Sequence, residues 1–277
     1  MISILKIERL NHNMDKPTRI YQCENTIDGI FSAVYDAGLS GYGHHFIRIQ
    51  PLQAGQNENY ELFAEYVQVE TDSKKTTSVI DAVRQKISEK AYHFIMSTVI
   101  SEFPDKGDVI YQFVTYGFTL GAKVCSALQI PCVDRIFAIN RAVQNETHFF
   151  REFLRFQEVQ KEPSLLLAVI EPRHHIIPLL TEHFADRFIE EWFIIYDKTH
   201  LEASFHQKGG NWEVRLLTAE EAQKLEELSE QQEEYVDLWK TFFHQIAIKE
   251  RTNKKLQTSM LPLHYRKHMT EFMDDAT

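Results

Sequence analysis

Hydrophobic positions recur at helical spacing through most of the first half of the chain. Ile27, Ile30, Phe31 and Val34 share one face of a helix predicted over residues 27–37. Helical patterning returns at Thr77 and runs to about Phe149. Pro104, Gly107 and Pro131 interrupt it, dividing the stretch into four or so helices. Between these regions, Leu62, Ala64, Tyr66 and Gln68 alternate with Phe63, Glu65, Val67 and Val69, the period of two that marks a strand.

The pattern changes near Arg151. Residues 153–159 and 165–170 read as strands either side of a turn at Pro163, followed by a helix over 177–188. Three further strands are predicted at 192–196, 201–206 and 212–216. The last two are joined by Lys208-Gly209-Gly210-Asn211, a hairpin signal because glycine accepts positive φ. Thr218 and Glu221 have the spacing of a capping box. Leu225, Leu228, Tyr235, Leu238, Trp239, Phe242 and Ile246 continue that helix to about Ala247, while Glu226, Glu230, Glu233 and Glu234 solvate its outer face. The predicted class is α+β in a single compact unit. Residues 1–149 are mainly helical; residues 150–277 form an antiparallel sheet of about five strands, a long C-terminal helix and a basic tail.

Composition narrows the functional classes. With 277 residues, 43% hydrophobic and 25% charged, the chain is globular rather than disordered or fibrous. Apolar runs such as Leu165 to Ile170 are too short to cross a bilayer, and Glu8, Asn11, His12 and Asp15 break up the first fifteen residues. The expectation is a soluble cytoplasmic protein. Cys23, Cys125 and Cys132 include no C-x-x-C pair, so a disulfide framework, a zinc ribbon and a self-contained iron–sulfur site are not expected. They read as small packing residues, and no cofactor beyond a divalent metal is expected. Gly38, Gly41, Gly43 and the pair His44-His45 mark a turn and fit neither phosphate-binding glycine motif. Asp28-Gly29-Ile30-Phe31 reads as a helix start. The G-x-S-x-G, H-E-x-x-H and zinc-deaminase signatures are absent.

The net charge of −10 argues against nonspecific coating of nucleic acid. Charge is nevertheless segregated. Residues 249–268 hold Lys249, Arg251, Lys254, Lys255, Arg266 and Lys267 against Glu250 alone, a local excess of +5, with Asn253, Gln257, His264, Tyr265 and His268 adding hydrogen-bonding and stacking capacity. Such a strip suits a phosphate backbone, an acidic protein partner or a solvated helix. Arg151 and Arg155 fall on one face if residues 153–159 extend as a strand. Paired guanidiniums there fit phosphate or carboxylate, and equally ion pairs with Glu152 or Glu158. Beyond the 165–170 strand, Glu171, His174 and His175, with His183 and Asp186 on the following helix, offer oxygen and nitrogen ligands for zinc, manganese or iron. Capping by Asp186 and packing of His183 account for those two positions as well.

Several blocks together resemble an uncharacterised bacterial family associated with DNA metabolism and repair. They are Glu146-Thr-His148, Phe153-Leu-Arg155-Phe156, Ile170-Glu171-Pro172, Pro178-Leu-Leu, His183-Phe-Ala-Asp186-Arg187-Phe188 and Glu250-Arg251-Thr-Asn253-Lys254-Lys255-Leu256-Gln257, with Met260 and Pro262 beyond. Asp28-Gly29 and the Trp192 to Asp197 strand fit the same pattern. Two positions differ from it: His264-Tyr265-Arg266 stands where an arginine-tyrosine-tryptophan run is usual, and His200 lies near the place of a common arginine. In that family the domain stands beside a gene for a radical SAM protein or is fused to a uracil-DNA glycosylase-like domain. This chain carries neither the glycosylase water-activating loop nor the radical SAM cluster ligands. The resemblance implies an accessory protein of DNA repair or modification, working with a radical SAM iron–sulfur partner. Arg151, Arg155, Arg187, Arg251, Asn253, Lys254, Lys255 and Arg266 would then contact nucleic acid. Two alternatives stay open: a metal-assisted hydrolase or lyase acting on damaged nucleic acid through Glu171, His174, His175, His183 and Asp186, and a protein-interaction module with no affinity for DNA.

Overall fold

The computed structural model describes residues 16–52, 61–161, 164–229 and Tyr265. The chain divides into two compact units, Met1–Arg141 and Ala142–Thr277.

The first unit opens with β1 (Thr18–Glu24), followed by α1 (Ile27–Leu39), a 3-10 turn at His44–Phe46 and β2 (Ile47–Leu52). Thr26 caps α1 by accepting a hydrogen bond from the Gly29 amide at 3.0 Å. This is a β-α-β crossover, so β1 and β2 run parallel. β3 (Ala64–Gln68) adds to the other side of β1, also parallel, giving the order β2-β1-β3. Across this sheet the Gln22 amide donates to Gln50 Oε1 at 3.1 Å and accepts from Gln68 Nε2. Four helical segments follow: α2 (Ser73–Lys86), α3 (Glu89–Val99), α4 (Lys106–Leu120) and α5 (Pro131–Phe153). They are the four the sequence predicts. The helical reading of this half nevertheless needs correction, because the helices pack on a three-stranded parallel sheet. Phe31, Ile47, Ile49, Ile95, Ile110, Phe113, Val133 and Ile136 join one core, with Cys23, Cys125 and Cys132 all buried in it. A side chain at Gly107 would meet the Ile49 carbonyl at 2.4 Å, so glycine lets the start of α4 close on β2.

The boundary between the units falls within α5. That helix runs to Phe153, which corrects the predicted strand over 153–159: Arg151 sits in the last helical turn, Arg155 in the segment after it, and β4 spans only Gln157–Lys161. β5 (Ser164–Ile170), α6 (Ile177–Arg187), β6 (Trp192–Asp197), β7 (Glu202–His206), β8 (Trp212–Leu216) and α7 (Ala219–Ser229) complete the described residues. The five strands lie in sequence order, but the sheet is mixed rather than antiparallel. β5 and β6 pair in parallel because α6 carries the chain back to the starting edge before β6 begins. The other neighbours are antiparallel. Gly209 and Gly210, at φ of 99° and 96°, make the β7–β8 turn. One sheet face buries Leu167, Ile194, Tyr196 and Ala203 with Leu217, Ala222 and Leu225 of the α7 segment. On the other face Phe193 meets Phe156 and Phe188 edge to face, and Phe156 meets Phe184 of α6.

The predicted capping box forms: the Thr218 amide donates to Glu221 Oε2 at 2.9 Å, and the Glu221 amide donates to Thr218 Oγ1 at 3.3 Å. The continuation of this helix towards Ala247 lies outside the described residues. Among those residues, no helix is long and apolar enough to cross a membrane.

Candidate functional site

Parallel neighbours place the ends of β5 and β6 side by side, and in α/β sheets the carboxyl ends of parallel strands are where ligands bind. Residues 171–176 leave β5 there, and residues 198–201 turn from β6 into β7. Asp197, the last residue of β6, is fully buried. Its Oδ1 accepts the Thr199 and His200 amides at 2.8 and 3.2 Å, which shapes the turn, and its Oδ2 accepts from His200 Nδ1 at 2.5 Å. Leu201 follows at φ 53°, and Glu202 pairs back across to Asp197. Burial pushes the Asp197 carboxyl above its usual range, opposed by the hydrogen bonds from His200 and Thr199.

A second histidine meets the first. The His175 ring lies over His200 with centroids 3.9 Å apart, and His175 Nδ1 is 3.3 Å from Glu202 Oε1. Each imidazole therefore has its own carboxylate at Nδ1. A carboxylate so placed fixes the tautomer with hydrogen on Nδ1, so that in His200 the Nε2 lone pair is the one a ligand can use. The side chains of His200 and Glu202 are only 11% and 12% exposed, so the centre is screened from bulk water. Within this unit, Asp197, His200 and Glu202 bring ligand atoms within 4.8 Å of one another. Two imidazoles with orienting carboxylates can hold a zinc, manganese or iron ion, or move protons as an acid–base pair.

The loop that presents His175 is anchored from α5. Glu146, 7% exposed, accepts the Arg173 amide at 2.8 Å and the His174 amide at 3.0 Å, one on each carboxylate oxygen. Burial raises its pKa, and the two amides act against that shift. Tyr265 stacks on Phe149 at 5.0 Å and meets Phe150 edge on at 5.0 Å. Burial and then the charge of Glu146 raise its hydroxyl, while Arg173 opposes them.

Of the five residues predicted as metal ligands, the structure brings only His175 into the paired-histidine cluster. His174 is buried and donates its amide to Glu146. Glu171 lies within the field of Glu226 of α7, which also accepts from Tyr196 and Lys198. His183 and Asp186 are on α6, where His183 is lowered by burial and then by the guanidiniums of Arg151 and Arg187. Two predicted nucleic-acid contacts thus lie close together around His183. Arg151 also donates to the Leu179 carbonyl at 3.0 Å, and Arg155 to the Glu152 and Leu154 carbonyls. Arg251, Asn253, Lys254, Lys255 and Arg266 lie outside the described residues. Asp197 and Glu202 carry no site role in the sequence analysis, and His200 stands there only as a departure from the family pattern. Their signal is Asp-Lys-Thr-His-Leu-Glu directly after an apolar strand, where a carboxylate that bonds its own turn amides presents a histidine three residues on.

A family model described as a domain of unknown function, DUF4130, matches residues 104–271. No curated protein matches the chain. Among solved structures, it is similar to a pGpG-specific phosphodiesterase, PggH, from Vibrio cholerae, at 10% identity and a TM-score of 0.34, over 76% of this chain and 96% of that one.

Proposed function

For a chain that belongs to the DUF4130 family, we propose that the second unit binds nucleic acid and performs metal-assisted hydrolysis on it. The observation that carries this reading is the close pair His175 and His200, ring centroids 3.9 Å apart and each with a carboxylate at Nδ1, at the carboxyl ends of adjacent parallel strands. Imidazole nitrogens oriented by carboxylates are favoured ligands for a divalent transition metal. His175 and His200 would hold such an ion through their ring nitrogens, and the chemistry it would supply there is Lewis-acid activation of water and of a phosphoryl group. Arg151 and Arg187, which flank His183, supply the positive field a phosphate backbone needs, and Arg155 adds a third guanidinium nearby in sequence. Tyr265 of the basic 249–268 strip packs on the end of α5, the same helix that carries Arg151. On this reading Lys254 and Lys255 extend the backbone contact.

The test is metal content and turnover together. Purified chain, stripped with chelator and reloaded with zinc, manganese or iron, should retain about one ion per chain, and His200→Ala should retain none. The loaded chain should cleave single-stranded or damaged DNA. Lys254→Glu/Lys255→Glu should abolish the salt-sensitive binding of that DNA. Stoichiometric metal in neither wild type nor reloaded protein sinks the hydrolytic reading. The accessory reading then stands in its place, with the chemistry supplied by the radical SAM partner that the family resemblance implies. A co-expression pull-down with that partner, with and without damaged DNA, checks it. Co-purification with no DNA affinity would leave a protein-interaction module.

A further inference from the structure

The first unit holds a cavity of about 500 Å³, inside the range of small-molecule sites, that the reading above does not use. One wall is a stripe along α4. Asp108, Tyr111, Gln112, Thr115 and Tyr116 recur at intervals of three and four, while the opposite face of the helix buries Val109, Ile110, Phe113 and Val114. The other wall is the glycine-marked turn, where His44 and His45 enter the cavity lining ahead of β2. Gly43, at φ 105°, sets the direction of that turn.

The chemistry of the lining is specific. Tyr111 is 2% exposed, and its hydroxyl lies 2.8 Å from His44 Nδ1 at the base of the cavity. Burial pushes that hydroxyl up to about 12, so it remains protonated at neutral pH. Asp108 is already committed: it accepts the Ile49 amide at 2.7 Å and Arg48 Nε at 3.0 Å. Arg48 is the only arginine or lysine among the described lining residues, and Glu61 takes its other side at 2.5 Å. Two carboxylates thus neutralise one guanidinium, leaving, among the described residues, no unbalanced positive charge in the lining for a phosphate or carboxylate ligand. What remains is flat and hydrogen-bonding. Gln112 offers an amide with both donor and acceptor, and Thr115, whose hydroxyl donates to the Tyr111 carbonyl at 2.9 Å, keeps acceptor capacity. His44, His45 and Tyr116 offer ring faces, with Tyr116 41% exposed.

We propose that this cleft binds an uncharged planar heteroaromatic ring with amide-like edges, the base of a nucleoside without its phosphate. Stacking against histidine or tyrosine with edge contacts to an amide is how proteins hold an unstacked base. The site is independent of the paired histidines of the second unit, so His200→Ala leaves it intact.

Ligand-observed NMR and calorimetric titration of the full chain with adenosine, guanosine, cytidine, uridine and thymidine test the assignment. At least one nucleoside should saturate, and its 5′-monophosphate should bind about tenfold more weakly or worse. Gln112→Ala, a change at an exposed position that the fold tolerates, should weaken binding about threefold or more. Tyr111→Phe should weaken it similarly. Absence of saturation by all five nucleosides, tighter binding of the monophosphates, tighter binding of a simple diamine, or undiminished affinity in Gln112→Ala would each overturn the proposal.

Discussion

Substitution of Asp197 by asparagine separates orientation of the histidine pair from folding of the unit around it. Asparagine keeps a carbonyl oxygen where Asp197 Oδ1 accepts the Thr199 and His200 amides, so the turn retains both bonds. The position of Oδ2 becomes an NH2 group facing His200 Nδ1, and two donors cannot share that contact. His200 then has to invert its tautomer, placing hydrogen on Nε2 and removing the lone pair a metal would use. Loss of such an orienting carboxylate costs roughly 10–100-fold in metal affinity, about 1.4–2.7 kcal/mol. Folding should respond far less, because the change also removes a charge from a fully buried position. Its net effect should stay within about 1 kcal/mol, or a few degrees in Tm. Asp197→Ala differs: it strands two turn amides and should cost about 2–4 kcal/mol. Isothermal titration with zinc or manganese, beside thermal unfolding of the same preparations, reads both quantities. Wild-type metal affinity in Asp197→Asn, with normal Tm, would show that the carboxylate does not orient His200 for a ligand.

Three further outcomes follow from contacts elsewhere in the second unit. Glu146→Ala leaves the Arg173 and His174 amides without their acceptors and should destabilise the chain by about 2–4 kcal/mol in urea titration, whereas a loss below about 0.5 kcal/mol would mean the loop holds itself. Glu221 is held near 2 by the Thr218 amide and by Arg215. A carboxylate with a lowered folded pKa contributes stability that is complete above its unfolded value, near 4.5, and lost as pH falls towards 2. Tm measured between pH 5.5 and 2.5 should therefore drop less steeply in Glu221→Gln than in wild type, and parallel curves would contradict the capping role. Gly210→Val forces a β-branched residue to φ 96° and should cost about 1–3 kcal/mol by thermal unfolding; an unchanged Tm would indicate that the turn relaxes freely.

Local signals were the readable ones. The strands of the second unit, the Gly209-Gly210 turn and the Thr218–Glu221 cap are each encoded within a few residues, by alternation, by positive φ and by reciprocal side-chain bonds. Strand direction is not local. A helix over 177–188 was predicted, and a helical crossover between neighbouring strands already requires β5 and β6 to be parallel; that inference needed the two elements to be read together. β1 escaped because the alternation in Ile20, Tyr21, Gln22 and Cys23 is erased when both faces are covered, and β2 because its alternation is confined to Ile47, Arg48 and Ile49 before Pro51. Arg151 and Arg155 were placed on a strand because aromatic residues at 149, 150, 153 and 156 suit either period, and helix α5 simply continued through Phe153. The site was half legible. His175 stood out as one of a histidine pair, but the ring it meets, His200, comes from a turn 25 residues later, and only the parallel pairing of β5 and β6 makes them neighbours.

The three glutamines spanning the parallel sheet of the first unit constrain how that region can be rebuilt. Gln50, Gln22 and Gln68 occupy matched register positions on adjacent strands, so their amides chain together only when all three strands align correctly. Only Gln22 is fully buried, so an aliphatic residue in place of Gln50 or Gln68 leaves one of the Gln22 amide atoms without its partner in the interior, whereas replacing Gln22 leaves two neighbours that reach solvent. Variation at the two flanking strands should therefore follow a change on the central one, and any redesign for greater robustness has to begin at Gln22.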